Sequence, residues 1–432
     1  MYKRKVIQQL TKWKGEQNKR ALLLNGARQV GKTTSVKLFA EENYRHFVEI
    51  NFLKQPAAKA AFEGTLDTRT IVLSLSAMGF GPFVEGETLV FFDEIQECPK
   101  ARTAIKFLVE EGRYDYIESG SLLGINYKDI PSYPVGFEEE VRVYPFDFEE
   151  FLWAKGISAE VVDLLRECYR EQRPVPSLIH DQISRYWREY LVVGGMPDVV
   201  RAFLEQDDFR QVIRAQRSIM TTYRADIAKY AGADKVVARQ VLDAIPSELG
   251  KQDKRFVLAN LEKGGARRKY ENPTQWLVDA GLAYYSFNTK AFELPFEAFE
   301  NRSLYKLYLV DTGLLCCMLL RNMQLEVMNG NIGVNEGALT ENQVACVLAS
   351  KGLPLHYYDR KSRQELDFVI ANNGKIDIVE VKSGSDYRRH ASLDAAREHF
   401  ADRIGTSIVF GPCNIECADG ITYLPLYMSM FL

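Results

Sequence analysis

The chain has 432 residues, 46% hydrophobic and 26% charged, a globular balance that excludes disorder, collagen-like repeats and a disulfide miniprotein. Its length exceeds the ~250–300 residues at which a single core stops growing, so two or three domains are expected. Against 58 Asp and Glu stand 55 Lys and Arg, a net charge of −3, which advertises no global field for nucleic acid and would hide a local basic patch.

Met1 to Lys5 is basic, but Gln8-Gln9-Leu10-Thr11-Lys12 is no apolar signal core, and no secretory leader is expected. The richest apolar window, Gly313 to Leu320, stops at Arg321, short of a membrane span. The 7 cysteines are an odd number, and a cytoplasmic protein with reduced thiols is expected. Cys413 and Cys417 lack a second Cys/His pair for zinc, and the 5 histidines carry no metal-ligand spacing.

Residues 1 to about 155 alternate short apolar runs with helical stretches, the pattern of an α/β domain with a parallel sheet. Strands are predicted at Ala21 to Leu24, His46 to Phe52, Thr88 to Phe92 and Tyr114 to Ile117. Helices are predicted over Lys32 to Glu41 and Lys100 to Glu111, with Pro99 opening the second. Between the first strand and helix, Gly26-Ala27-Arg28-Gln29-Val30-Gly31-Lys32-Thr33 fits G-x-x-x-x-G-K-[ST]. Glycines let backbone N–H groups curl around phosphates, and the following helix points its positive end at them. Lys32 would reach the β- and γ-phosphates, and Thr33 would place its hydroxyl on Mg2+.

Leu89-Val90-Phe91-Phe92-Asp93-Glu94 reads as a strand buried on both faces. Asp93 at its carboxyl end would hold Mg2+ through water. Glu94 is placed to orient and deprotonate the attacking water. Ser119, ending the next strand, is either a sensor of the γ-phosphate or a plain strand-to-turn residue. No Asn/Thr-Lys-x-Asp motif for guanine appears, so ATP is expected over GTP.

The run Gly26 to Thr34, with Phe92-Asp93-Glu94-Ile95-Gln96 and Ser119-Gly120-Ser121, resembles a prokaryotic AAA+-type ATPase family with a conserved C-terminal region of unknown function. Pro145-Phe146-Asp147-Phe148-Glu149-Glu150-Phe151 is similar to the helix that closes the ATPase core of that family. Leu191 to Pro197, Tyr305 to Gly313 and Gly337 to Asn342 are similar to its C-terminal region. The resemblance implies ATP binding by Gly26 to Thr34, with Asp93 beside them. The family's Gly-Arg pair is replaced here by Val135-Gly136-Phe137 and Arg142, which leaves the arginine finger unassigned. ATPases of this class often place an arginine across a subunit interface, which would make a homo-oligomer.

From Ser158 to about Gly250 the pattern is almost wholly helical, broken at Gly194-Gly195-Met196-Pro197. Val236 to Leu249, Phe256 to Leu261 and Tyr270 to Ala280, then strand-like Leu282 to Ser286, predict a winged-helix element. The last section opens with a helix, Ala338 to Ser350, and turns to strands. The expected domains are thus a P-loop ATPase domain at 1–155, a helical winged-helix region at 156–332, and a small α/β domain at 333–432.

In that last domain Asn373-Gly374 is a strong hairpin-turn signal. It would set Asp367 opposite Glu380 and Glu365 opposite Lys382, with Leu366, Phe368, Ile370, Val379 and Val381 on an apolar face. Like charges directly opposed are destabilising, and a divalent cation between the carboxylates would relieve them. Lys382 would stabilise a pentavalent phosphate or steer water, and Glu341 on the preceding helix would add a third carboxylate. The set is similar to the PD-(D/E)xK restriction-endonuclease fold. An active nuclease, an inactive remnant and a coincidence all remain open. Basic runs at Arg267-Arg268-Lys269 and Arg388-Arg389-His390 are either solvated faces or DNA contacts. Three function classes follow: an ATP-driven DNA-processing enzyme, a nucleotide-switched binding module with an inactive nuclease-like domain, and an ATPase acting on a protein partner.

Overall fold

Apolar runs too short for helices become the inner strands of the first sheet. Ala21–Asn25 (β1) and Thr88–Asp93 (β3) are buried at every position, as strands covered on both faces must be. With His46–Asn51 (β2), Asp115–Ser119 (β4) and Glu138–Arg142 (β5) they form an all-parallel sheet, ordered β2-β3-β4-β1-β5. The helices Lys5–Lys14 (α1), Lys32–Asn43 (α2), Thr68–Ala77 (α3) and Pro99–Glu111 (α4) accompany these strands, with Pro99 in the first turn of α4 as expected. Phe52, Phe62 and Phe92 meet with ring centroids 5.7 Å apart in the core between sheet and helices. This computed structural model describes residues 2–64, 66–120, 134–206, 208–257, 268–320, 336–360 and 364–432. It divides into two compact units, 1–144 with 279–281, and 145–278 with 282–432.

Among the described residues the second unit begins with seven α-helices: Phe148–Ala154 (α5), Ala159–Glu171 (α6), Ser177–Val193 (α7), Pro197–Gln206 (α8), Phe209–Tyr230 (α9), Lys235–Leu249 (α10) and Arg268–Asp279 (α11). Asp147 starts α5 with a reciprocal cap, accepting from the Glu150 N–H at 2.8 Å while the Glu150 carboxylate accepts from the Asp147 N–H at 3.2 Å. The strand predicted as a wing, Ala283–Thr289 (β6), does pair antiparallel with Glu300–Leu309 (β7), but its other edge pairs in parallel with Leu355–Asp359 (β8). It is therefore an inner strand of a four-stranded sheet, β7-β6-β8-β9, with Glu365–Leu366 (β9) at the edge. Phe256 and Val257 are not helical, and the rest of the helix expected there, 258–261, lies outside the described residues.

Helices Thr312–Leu320 (α12) and Glu336–Ser350 (α13) follow β7. Phe368–Asn372 (β10), Lys375–Val381 (β11), Ile404–Gly411 (β12), Glu416–Ala418 (β13) and Ile421–Pro425 (β14) make a second sheet, ordered β10-β11-β12-β14-β13, with Ala391–His399 (α14) between β11 and β12 in the chain. The hairpin register is the expected one from Phe368↔Val379 to Asn372↔Lys375. Asn373 (φ +47°) and Gly374 (φ +78°) turn it, both left-handed as a type I′ turn requires.

Two expectations about this hairpin are corrected. Glu365 does not oppose Lys382; it pairs with Asp359 of β8. The cause is Asp367, whose Oδ2 accepts the Val381 N–H at 2.9 Å, the donor a longer β10 would have used. Pairing stops at Phe368, and the preceding residues cross to the other sheet. The face carrying Glu380 is covered as well, since Ile376, Ile378 and Glu380 are all buried. Ile370, expected in the core, is only half-buried.

Candidate functional site

The loop between β1 and α2 is built for an anion. Gly26 adopts φ +145° and passes so close to β5 that a Cβ there would lie 2.2 Å from the Val143 carbonyl oxygen. Gly31 adopts φ +93° and heads α2, whose N-terminus faces the loop. Gly26, Ala27 and Val30 are buried, Arg28, Lys32 and Thr33 half-buried, and Gln29 and Thr34 exposed. From behind, buried Arg4 donates to the Val30 carbonyl at 2.9 Å and the Tyr144 carbonyl at 2.7 Å, pinning the loop to both ends of the first unit. Lys32 Nζ donates to the loop's own carbonyls, Gly26 at 3.0 Å and Ala27 at 2.9 Å. Burial lowers its pKa to about 8, opposed by Glu94 and Asp93 and reinforced by Arg28.

Parallel register lines up Asn51, Asp93 and Ser119 across the carboxyl ends of β2, β3 and β4. Asn51 Nδ2 donates to Asp93 Oδ2 at 2.7 Å, and the Ser119 hydroxyl donates to Asp93 Oδ1. The Thr33 hydroxyl lies 3.3 Å from both Asp93 oxygens. These hard oxygen donors suit Mg2+, which keeps several waters and takes its remaining ligands from phosphate. Glu94 follows in a left-handed conformation, φ +57°, and Gln96 Nε2 donates to its Oε2. Sequence reasoning missed Asn51 and Arg4; the signal for Asn51 was a polar residue closing an apolar strand beside the acidic one.

The C-terminal residues also converge. Asp367 N–H reaches Glu380 Oε1 at 3.4 Å, and Lys382 Nζ lies 2.9 Å from Glu380 Oε2. Lys306, from β7 and fully buried, sits 2.9 Å from Glu341 Oε1, 2.7 Å from Glu365 and 3.9 Å from Asp367. Lys254 pairs with Glu341 Oε2, and the Tyr308 hydroxyl donates to Glu341 Oε1. Burial raises Glu341, but Lys254 and Lys306 outweigh it and hold the carboxyl well below its ordinary range. Burial and then Asp367 push Glu380 up to about 7. Among the described residues no group of three or more His, Cys, Asp and Glu is arranged to hold a metal ion. The second divalent site expected at Glu341, Asp367 and Glu380 is therefore not shown. Lys306 and Lys254 were missed, although a lysine inside the apolar run Tyr305-Lys306-Leu307-Tyr308-Leu309 demands buried anions.

The basic runs are less coherent. Arg388 pairs with Glu416 and packs 5.5 Å from the Tyr423 ring centre. Arg389 is 85% exposed and 3.5 Å from Asp386. Arg267 and the side chains of Arg268 and Lys269 lie outside the described residues. Among the described residues no helix is long and apolar enough to cross a membrane.

Known proteins resemble the chain segment by segment. Residues 18–152 match the model of the AAA domain. Residues 184–325 and 336–428 match two domains of unknown function, DUF8612 and DUF4143. No curated protein matches the chain significantly. Among solved structures, the Walker-type ATPase PABY2304 of Pyrococcus abyssi aligns at 15% identity and TM-score 0.42, over 74% of this chain and 96% of that one. The Aeropyrum pernix ORC1 protein, solved in complex with DNA, aligns at 13% identity and TM-score 0.28, over 75% and 94%. Both are remote likenesses. Residues 18–152 are therefore similar to the AAA domain and carry an ATPase-like P-loop.

Proposed function

We propose that the first unit binds ATP with Mg2+ and hydrolyses it. The observation that carries this reading is the polar row Asn51–Asp93–Ser119 lying against Thr33 at the mouth of the glycine loop. Thr33, and Asp93 through water, would hold Mg2+, which would supply charge neutralisation on the phosphates. Lys32 exchanges the Gly26 and Ala27 carbonyls for phosphate oxygens, a better anionic partner for a desolvated ammonium. Glu94, oriented by Gln96, accepts the proton of the attacking water as the bond between the β-bridging oxygen and the γ-phosphorus breaks. Asn51 and Ser119 hold Asp93 in place. Glu94→Gln should lower ATP turnover by ~100-fold or more while leaving ATP affinity within about threefold of wild type. Retained turnover would remove Glu94 from this role.

The second unit then acts as a nucleotide-switched binding module rather than a cleaving one, and the exposed Arg389 favours DNA as its partner. Titration of duplex DNA into the full chain, with and without ATP, tests this. Affinity should fall steeply with salt and drop on Arg389→Glu. Affinity indifferent to both would leave a protein partner.

A further inference from the structure

We infer that the ammonium of Lys306 holds the place of a divalent cation in the carboxylate cluster of the second unit, which is thereby closed to metal. Of the six oxygens of Glu341, Asp367 and Glu380, five are already engaged within 3.5 Å. Glu341 Oε1 faces Lys306 and the Tyr308 hydroxyl, and Oε2 faces Lys254. Asp367 Oδ2 accepts the Val381 N–H, and Oδ1 lies 3.9 Å from Lys306. Glu380 Oε1 faces the Asp367 N–H, and Oε2 faces Lys382. Lys306 cannot withdraw to solvent, because its side chain is 0% exposed and its Nζ lies 5.1 Å over the Tyr357 ring.

Charge points the same way. The carboxylates of Glu341, Glu365, Asp367 and Glu380 face the ammonium groups of Lys254, Lys306 and Lys382, so the cluster is close to neutral without any added ion. A divalent cation seated on Glu341 Oε1 would stand within ~5 Å of Lys306 Nζ, where repulsion between like charges in a poorly hydrated site is large. A buried ammonium also needs its carboxylates, since its hydration is already lost. The arrangement of acid, acid and lysine is that of a metal site whose central ion is supplied by the chain. It ties α13 to β7, instead of cleaving phosphodiesters.

The inference concerns the second unit alone and stands apart from ATP hydrolysis. Its test is Mn2+ binding to the full nucleotide-free chain, followed by electron paramagnetic resonance. Wild type and Asp367→Asn should give the same isotherm. Lys306→Met should gain one site per chain, at least tenfold tighter than any in wild type, and Lys306→Met with Asp367→Asn should lose it again. A wild-type Mn2+ site abolished by Asp367→Asn would overturn the inference, as would a folded Lys306→Met that gains none. If Lys306→Met does not fold, the comparison of wild type with Asp367→Asn decides alone.

Discussion

Two lysines, Lys306 buried and Lys32 half-buried, sit in oppositely prepared surroundings. Lys32 rests on two backbone carbonyls, with its charge disfavoured by burial. Lys306 rests on Glu341 and Glu365 with Asp367 close by; burial works against its charge, but Glu341, then Tyr308, Glu365 and Asp367, outweigh it and raise its pKa. The first is an under-compensated cation, and a polyphosphate improves its situation. The second is fully compensated, and any further ion worsens it. An ammonium inside a protein is thus a binding group only where its carboxylates have been withheld.

The same substitution at both places should separate them. Lys306→Met leaves Glu341 and Glu365 short of a buried partner, and the cost of breaking such a pair is ~3–5 kcal/mol; chemical denaturation of the second unit should register it. Lys32→Met removes only bonds to carbonyls, so unfolding should shift by about 1 kcal/mol or less, while ATP affinity falls ~10- to 100-fold. Equal losses of stability at the two sites would break the comparison. A smaller effect is expected at Asn51, which touches Asp93 but not the phosphate loop. Asn51→Ala should lower kcat about tenfold through misplaced Asp93, with KM for ATP changed less and kcat partly restored by Asn51→Gln. The smallest effect is pH dependence. With a pKa of about 8 against the ordinary 10.5, Lys32 in the free protein loses its charge as pH rises through 8. ATP favours the charged form, so affinity is full below pH 8 and falls above it, by at most ~10-fold per pH unit. Calorimetry in buffers of different ionisation enthalpy should detect proton uptake on binding above pH 8. A flat profile would mean Lys32 is no more buried than an ordinary surface lysine.

The glycine loop, the inner strands of the first sheet and the β10–β11 turn were legible because each depends on local chemistry: Gly26 and Gly31 in left-handed or close-packed backbone, apolar runs at β1 and β3, and Asn373-Gly374. The row of Asn51, Asp93 and Ser119 was half legible. Its acid announces itself, but the amide and hydroxyl are joined to it only by the register of three strands far apart in sequence. The C-terminal cluster was legible in its acids and in Lys382, while its purpose stayed open. Opposed carboxylates ask for a cation, and nothing local says whether the cation is a metal or a lysine from β7. The crossing at Asp367 was equally hidden, since one side-chain hydrogen bond decides which sheet Glu365 joins.

The parallel pairing of β6 with β8 reaches across the gap between the two matched domains of unknown function, residues 184–325 and 336–428. Units of inheritance and units of cooperative unfolding are therefore different objects in this chain. A protein cut between those two segments would leave the β6 edge unpaired and open to self-association. It would also separate Lys306 from Glu341 and so break the buried ion pair between them.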